Sequence, residues 1–133
     1  MVFGHEKLDV YRHSLEYVEW VFIQAEGFKG LHRAARDQWL RASQSIPLNI
    51  AEGNGKAAKP DRRRFFEIAR GSALECAAIQ DVLVVGKALT AEESNIYKAK
   101  LDRIVAMLSR LGGRGYSVED LSAEYDLIQC EPE

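Results

Sequence analysis

Four stretches of the chain repeat apolar side chains at alternating steps of three and four residues, the spacing that lines one face of a helix. Leu8, Tyr11, Leu15, Val18, Phe22 and Ala25 predict a first helix over residues 7–25. Tyr17, Trp20, Val21 and Ile23 add apolar surface beyond that seam, a surplus that favours an oligomer. Trp39, Ser43, Ile46, Ile50 and Gly53 line a second helix over 31–53, with Asn54 and Gly55 expected to supply the positive φ angles that stop it. Pro60 stands at the first turn of a third helix, where its missing donor does no harm, and Phe65, Ala69, Ser72, Cys76, Ile79 and Leu83 carry that helix to about Gly86. Thr90 with Glu93 reads as a capping box opening a fourth helix, lined by Tyr97, Leu101, Ile104, Leu108 and Leu111 and ended by Gly112 and Gly113. No period-two run and no long internal repeat competes. The short links favour antiparallel neighbours, so the fold class expected is all-α, an up-down-up-down four-helix bundle over 1–115.

The second helix contains a contradiction. Pro47 sits inside it, where the ring meets the carbonyl of Ser43 and a backbone donor is lost, at a cost of about 3 kcal/mol. Either the helix ends there or a kink brings Asn49 and Glu52 against a neighbouring helix or subunit.

Charge adds an asymmetry that the net value of −2 hides. Residues 1–28 carry −3, residues 29–70 carry +6, residues 71–115 carry +1, and residues 116–133 carry −6 with no base at all. The basic share gathers at Arg41, Lys56, Lys59, Arg62, Arg63 and Arg64, the candidate nucleic-acid-binding group, since several phosphate contacts acting together give salt-sensitive, sequence-tolerant binding. The acidic stretch 116–133 is read as a separate tail, free or docked on a basic surface, or as a short extra helix bearing Val118, Leu121, Tyr125 and Ile128.

Catalytic chemistry finds little support. Val2, Val10 and Lys29 stand three residues before His5, His13 and His32, so no Glu-x-x-His pair exists, and no His-x-x-x-His or Cys-x-x-Cys occurs. Ser43, Ser45 and Ser72 have no histidine placed by sequence, and Cys76 lies on an apolar face. Gly53 to Lys56 is a fragment of a phosphate loop without its full spacing. No catalytic residue, metal or cofactor is expected. Cys76 and Cys130 are read as free thiols, and with no leader and no apolar run of about 18 residues the expected location is cytoplasmic, away from membranes.

Ser45-Ile46-Pro47-Leu48-Asn49-Ile50-Ala51-Glu52-Gly53, followed by Ile68-Ala69-Arg70-Gly71-Ser72-Ala73-Leu74-Glu75, resembles the paired signature of the four-helix-bundle proteins named after the intervening sequences of bacterial 23S ribosomal RNA genes. Lys7 to Tyr11 and Gln38, Arg41 and Ala42 fit the same pattern, and the likeness covers roughly 6–112. The resemblance implies a homo-oligomer, a pentameric ring being the expected form. Through more distant relatives, accessory proteins of diversity-generating reverse transcriptases, it implies contact with nucleic acid and a polymerase. Within the signature, Pro47, Asn49, Glu52, Arg70, Ser72 and Glu75 are expected to form a structural network that fixes register or an oligomer interface, Glu52 meeting Arg70 through the kink or a neighbouring subunit. The alternative for these residues is a ligand or nucleic-acid contact. The function expected is a non-enzymatic scaffold presenting a basic surface to RNA, DNA or a ribonucleoprotein. The alternative is a protein-interaction accessory factor of a reverse transcriptase or another partner without direct nucleic-acid contact.

Overall fold

The computed structural model describes residues 2–112, and all of their regular structure is helical. After a 3-10 turn at Gly4–Lys7 come α1 (Asp9–Ala25), α2 (Arg33–Asn54), α3 (Lys59–Val85) and α4 (Ala91–Leu111). The expectations for residues 113–133, the tail, its short helix, Gly113 and Cys130, lie outside the described residues. The largest interface is between α2 and α3, followed by α3 with α4 and α1 with α2. Gln38 meets Glu75, Ser45 meets Ser72 and Gly53 faces Phe66, so numbering rises along α2 as it falls along α3. Gln80 with Ser94 and Arg70 with Ser109 give the same relation between α3 and α4.

The core lies between the four helices. On α2 the predicted seam is the buried one: Trp39, Ser43, Ile46, Ile50 and Gly53 are all inside. Pro47 is buried with them, and α2 does not end at it but runs on to Asn54. Burying Ile46 and Ile50 completely, at about 1.5–3 kcal/mol each, offsets a proline penalty of about 3 kcal/mol.

The seam predicted for α1 is not the one that packs. Val10, Ser14, Tyr17, Trp20, Val21 and Ala25 are buried, whereas Leu15 and Phe22 are exposed and Leu8, Tyr11 and Val18 only partly covered. Two overlapping apolar faces compete on this helix. The face that packs carries the larger aromatic rings, and its one polar member, Ser14, is satisfied locally by donating to the Tyr11 carbonyl at 2.6 Å. On α3, Phe66 and Ala73 occupy the core where Phe65 and Ser72 were expected, with Ala69, Cys76, Ile79 and Leu83 as predicted. Phe66 takes that place because α2 comes close at Gly53, where an added Cβ would lie 2.9 Å from the Phe66 ring. On α4, Leu101, Ile104 and Leu108 are buried and Tyr97 packs against them, but Leu111 is 41% exposed.

One side chain from each helix joins a buried hydrogen-bonded chain. The Trp39 indole donates to the Tyr17 hydroxyl at 3.0 Å, and Tyr17 donates to Gln80 Oε1 at 2.5 Å. Gln80 Nε2 donates in turn to the Ser94 carbonyl at 3.0 Å and hydroxyl at 3.2 Å. Burial pushes the Tyr17 phenol well above its ordinary range, so it stays protonated and able to donate. Around this chain the Trp20 ring stacks on Tyr97 with centroids 3.7 Å apart and meets Trp39 edge-on at 5.2 Å.

The helix ends follow local chemistry, with two corrections. Thr90 caps α4 by accepting from the Glu93 amide at 3.1 Å, but the Glu93 carboxylate accepts from the Trp20 indole at 3.5 Å instead of closing the expected capping box. Asn54 and Gly55 do not turn left-handed: Gly55 has φ −82°, and its amide bonds back to Ala51 and Glu52 in an ordinary fraying turn. The left-handed stop falls instead after α3, at Lys87 with φ 64°. There the Ala88 amide reaches the Leu83 carbonyl at 2.8 Å and the Lys87 amide reaches Val84 at 3.0 Å, the paired bonds of a Schellman ending.

Two outcomes follow for equilibrium unfolding in urea. Lys87→Gly relieves a Cβ held in the left-handed region and should raise stability by about 1 kcal/mol. Gln80→Leu leaves the Tyr17 hydroxyl without its acceptor and the Ser94 hydroxyl without its donor and should lower it by about 2–4 kcal/mol, while adding Ser94→Ala should recover part of that loss by removing one stranded group.

Candidate nucleic-acid interface and signature network

The corner between α2 and α3 gathers five of the six predicted cations. Lys56 follows the end of α2, Lys59 opens α3, and Arg62, Arg63 and Arg64 occupy its first two turns. Consecutive helical residues point about 100° apart, so the three arginines fan around the helix instead of sharing one face. Arg63 Nε donates to the Gly112 carbonyl at 3.1 Å, capping the end of α4 where the helix dipole favours a cation. Arg64 and Lys56 both lie over the Phe65 ring, at 5.0 and 5.2 Å from its centroid, and Lys56 also pairs with Glu52 at 3.6 Å. Lys59, Arg62 and Arg63 line a cleft of about 420 Å³ together with Ala57, Leu111 and Gly112. Among the described residues, neither Lys59 nor Arg62 pairs with a carboxylate.

Arg41 is not part of this group. It is exposed on α2, fifteen residues before Lys56, and a rise of 1.5 Å per residue puts it about 20 Å away along the axis.

The signature residues divide into three separate contacts. Ser72 donates to Ser45 Oγ at 2.8 Å, and Asn49 Nδ2 donates to the Ser45 hydroxyl and carbonyl at 2.9 and 2.8 Å, so a half-buried polar knot ties α2 to α3 beside the buried Pro47. One end of the α2–α3 interface carries Gln38, which donates to Glu75 at 3.2 Å. Glu52 and Arg70 do not meet within the chain. Glu52 is exposed and takes Lys56, while Arg70 points the other way and donates to Ser109 on α4 at 3.0 Å. Their helical faces explain the outcome: Glu52 shares the outer face of α2 with Leu48, whereas Arg70 lies on the side of α3 that α4 covers.

Three groups outside the predicted site have displaced titrations. Lys100 donates to Glu16 at 2.5 Å and holds that carboxyl below its usual range. Burial pushes the Cys76 thiol up to about 12, which makes it an unreactive core group, and the Tyr17 phenol beside it is raised by the same cause. The four-helix chain through Gln80 escaped the sequence reading, although Gln80 falls in step with Ala73, Cys76 and Leu83 on the apolar seam of α3. A lone amide on such a seam is the signal that a buried partner waits for it.

No helix among the described residues is long and apolar enough to cross a membrane, and no group of three or more potential metal ligands occurs among them.

Comparison with known proteins supports this architecture. A crystal structure from Bacteroides thetaiotaomicron, described as a protein with unknown function from the S23 ribosomal protein family, is similar at TM-score 0.72 and 21% sequence identity. The match covers 78% of this chain and 98% of that one, and at this identity it speaks for the fold. No curated protein matches. The family model described as 23S rRNA-intervening sequence protein matches residues 6–110, most of the chain and both halves of the signature. The chain therefore belongs to the family of 23S rRNA-intervening sequence proteins.

Proposed function

We propose that this chain is a non-catalytic, homo-oligomeric scaffold that presents the Lys56 to Arg64 corner to RNA or to a ribonucleoprotein. The observation that carries the reading is the placement of Lys59, Arg62 and Arg63 at the N-terminal end of α3. A helix N-terminus disfavours cations in its first turn by about 0.3–1 kcal/mol each, so Lys59 and Arg62 there work against the stability of the helix itself. Arg63 is compensated by the α4 carbonyl end, but Lys59 and Arg62 have no carboxylate among the described residues. A polyanionic partner is the simplest source of compensation. The family name, with its reference to ribosomal RNA, points the same way.

The oligomer in this proposal is a ring of antiparallel up-down-up-down bundles, a pentamer by resemblance. Its support is the outer surface of α2 and α3, where Leu48, Ile68, Val82 and Val85 are exposed. Between them lies Gly71, at which an added Cβ would meet nothing within 4 Å. Repetition of the basic corner around an axis would multiply modest single-copy charge. The same exposed apolar side chains support a second reading, a protein-interaction factor for a polymerase such as a reverse transcriptase with no direct nucleic-acid contact. Co-purification of such a partner after nuclease treatment, without RNA binding by the isolated protein, would select it.

Fluorescence anisotropy with a short single-stranded RNA should show binding at 50 mM salt that falls steeply as salt rises. Replacing Arg62, Arg63 and Arg64 together with alanine should weaken it by at least about tenfold and flatten the log–log salt slope by about 2. No binding by the parent at 50 mM salt would reject the reading. Gly71→Glu has room within one subunit, so it should leave helicity and unfolding temperature of the subunit intact while shifting the sedimenting species toward monomer mass. An unchanged distribution would remove the α2–α3 face from the interface.

A further inference from the structure

We infer that the acidic segment 116–133 of this chain docks in the cleft lined by Lys59, Arg62 and Arg63, and that it there competes with nucleic acid for the basic corner. The second half of this inference rests on the function proposed above. The first half is independent of it.

Three observations converge on this occupant. The first is position. Gly112 forms one wall of the cleft and its carbonyl is already held by Arg63, so the chain leaves α4 at the cleft itself. Glu119, the first carboxylate beyond, stands seven residues further on, and an extended chain of that length reaches at most about 24 Å.

Charge is the second. The segment holds six carboxylates and no base, against five cations from Lys56 to Arg64. Guanidinium groups bind carboxylates bidentately, with a geometry that a phosphate also satisfies, so one surface accepts either ligand. Removing those six negative charges from a chain of net −2 leaves +4, so the segment decides the sign of the whole molecule.

The third is the mixed character of the cleft. Leu111 and Ala57 line it beside the cations, and Leu111 is 41% exposed. Val118, Leu121, Tyr125 and Ile128 interleave with the acids at steps of three and four, so the same segment brings apolar side chains to cover Leu111. Tethering makes the contact intramolecular at an effective concentration in the millimolar range, so individually weak pairs suffice to fill the cleft. An untethered polyanion must outcompete that local supply.

The test uses the full chain and has two readouts. Zero-length carbodiimide cross-linking followed by mass spectrometry should join Lys56 or Lys59 to carboxylates of 116–133 within one chain, and the links should vanish at 500 mM salt. Neutralising Glu119→Gln, Asp120→Asn, Glu124→Gln and Asp126→Asn together should abolish most of these links and tighten binding of a single-stranded RNA by at least about fivefold at low salt. A control that removes the same charge from exposed positions on α1, just after it and on α4, Glu19→Gln, Glu26→Gln, Glu92→Gln and Asp102→Asn, should tighten it less than about twofold. Absence of the links, links indifferent to salt, or an equal effect of the control would overturn the inference. Links that form only between isotopically light and heavy chains would also overturn it, by giving the cleft to a second copy. If the links form but no variant binds RNA, the docking stands and the nucleic-acid reading falls. Should RNA bind while no links form, the docking alone falls.

Discussion

The hydrogen bond from the Tyr17 hydroxyl to Gln80 is the constraint on which the rest of the structure depends, because it cannot be satisfied in any other register. Tyr17, Gln80, Trp39 and Ser94 come from four different helices, and every donor in the chain has an acceptor placed for it on another helix. Apolar side chains tolerate sliding by a turn at modest cost. A buried phenol or amide left without a partner costs about 1–3 kcal/mol, so a slip of any one helix strands at least two groups. Hydrophobic burial therefore supplies the stability of the bundle, and this polar chain selects one arrangement among the compact ones that burial alone would allow.

Once that register is set, the contacts of the signature follow in order along the α2–α3 interface. Gln38 and Glu75 meet first, then Ser45, Asn49 and Ser72, and last Gly53 against Phe66. Each contact is small, and the exposed ones contribute little by themselves. Their sum is a close approach of two long helices, permitted by Gly53 and Ser72 and rendered tolerant of Pro47 by the burial of its neighbours. That approach fixes where α2 ends relative to where α3 begins, and so determines which cations crowd the corner.

Much of this was legible in the sequence, for reasons that differ by element. The seams of α2 and α4 each stand alone on their helices, and the periodicity identified them, with Leu111 the exception. On α1 two apolar faces overlap, and the counting of hydrophobic residues chose the one with Leu15 and Phe22. Selection between them was made by tertiary partners, Gln80, Trp39 and Tyr97, which no local pattern can see. The basic corner was legible because its residues are neighbours in sequence. Arg41 was grouped with it by charge alone, and helical rise carries it away. Within one subunit Glu52 and Arg70 stay apart for a similar reason: both belong to the signature, but their positions on the helical wheel face opposite sides of the α2–α3 pair.

What remains is a corner whose electrostatics run against its own helix. The dipole of α3 presents partial positive charge in its first turn, where Lys59 and Arg62 stand with Arg63 just behind them, and only Asp61 in that turn opposes it. The carbonyl end of α4 answers one of these cations through Gly112. Lys59 and Arg62, which line the same cleft, pair with no carboxylate among the described residues. A surface built this way costs its own helix some stability, which an anionic ligand would restore. The docking inferred above would make the chain itself a source of one anionic ligand, seven residues beyond the cleft wall, and the affinity of the corner for any external partner would then be set by a difference between two anionic ligands and not by the number of its cations.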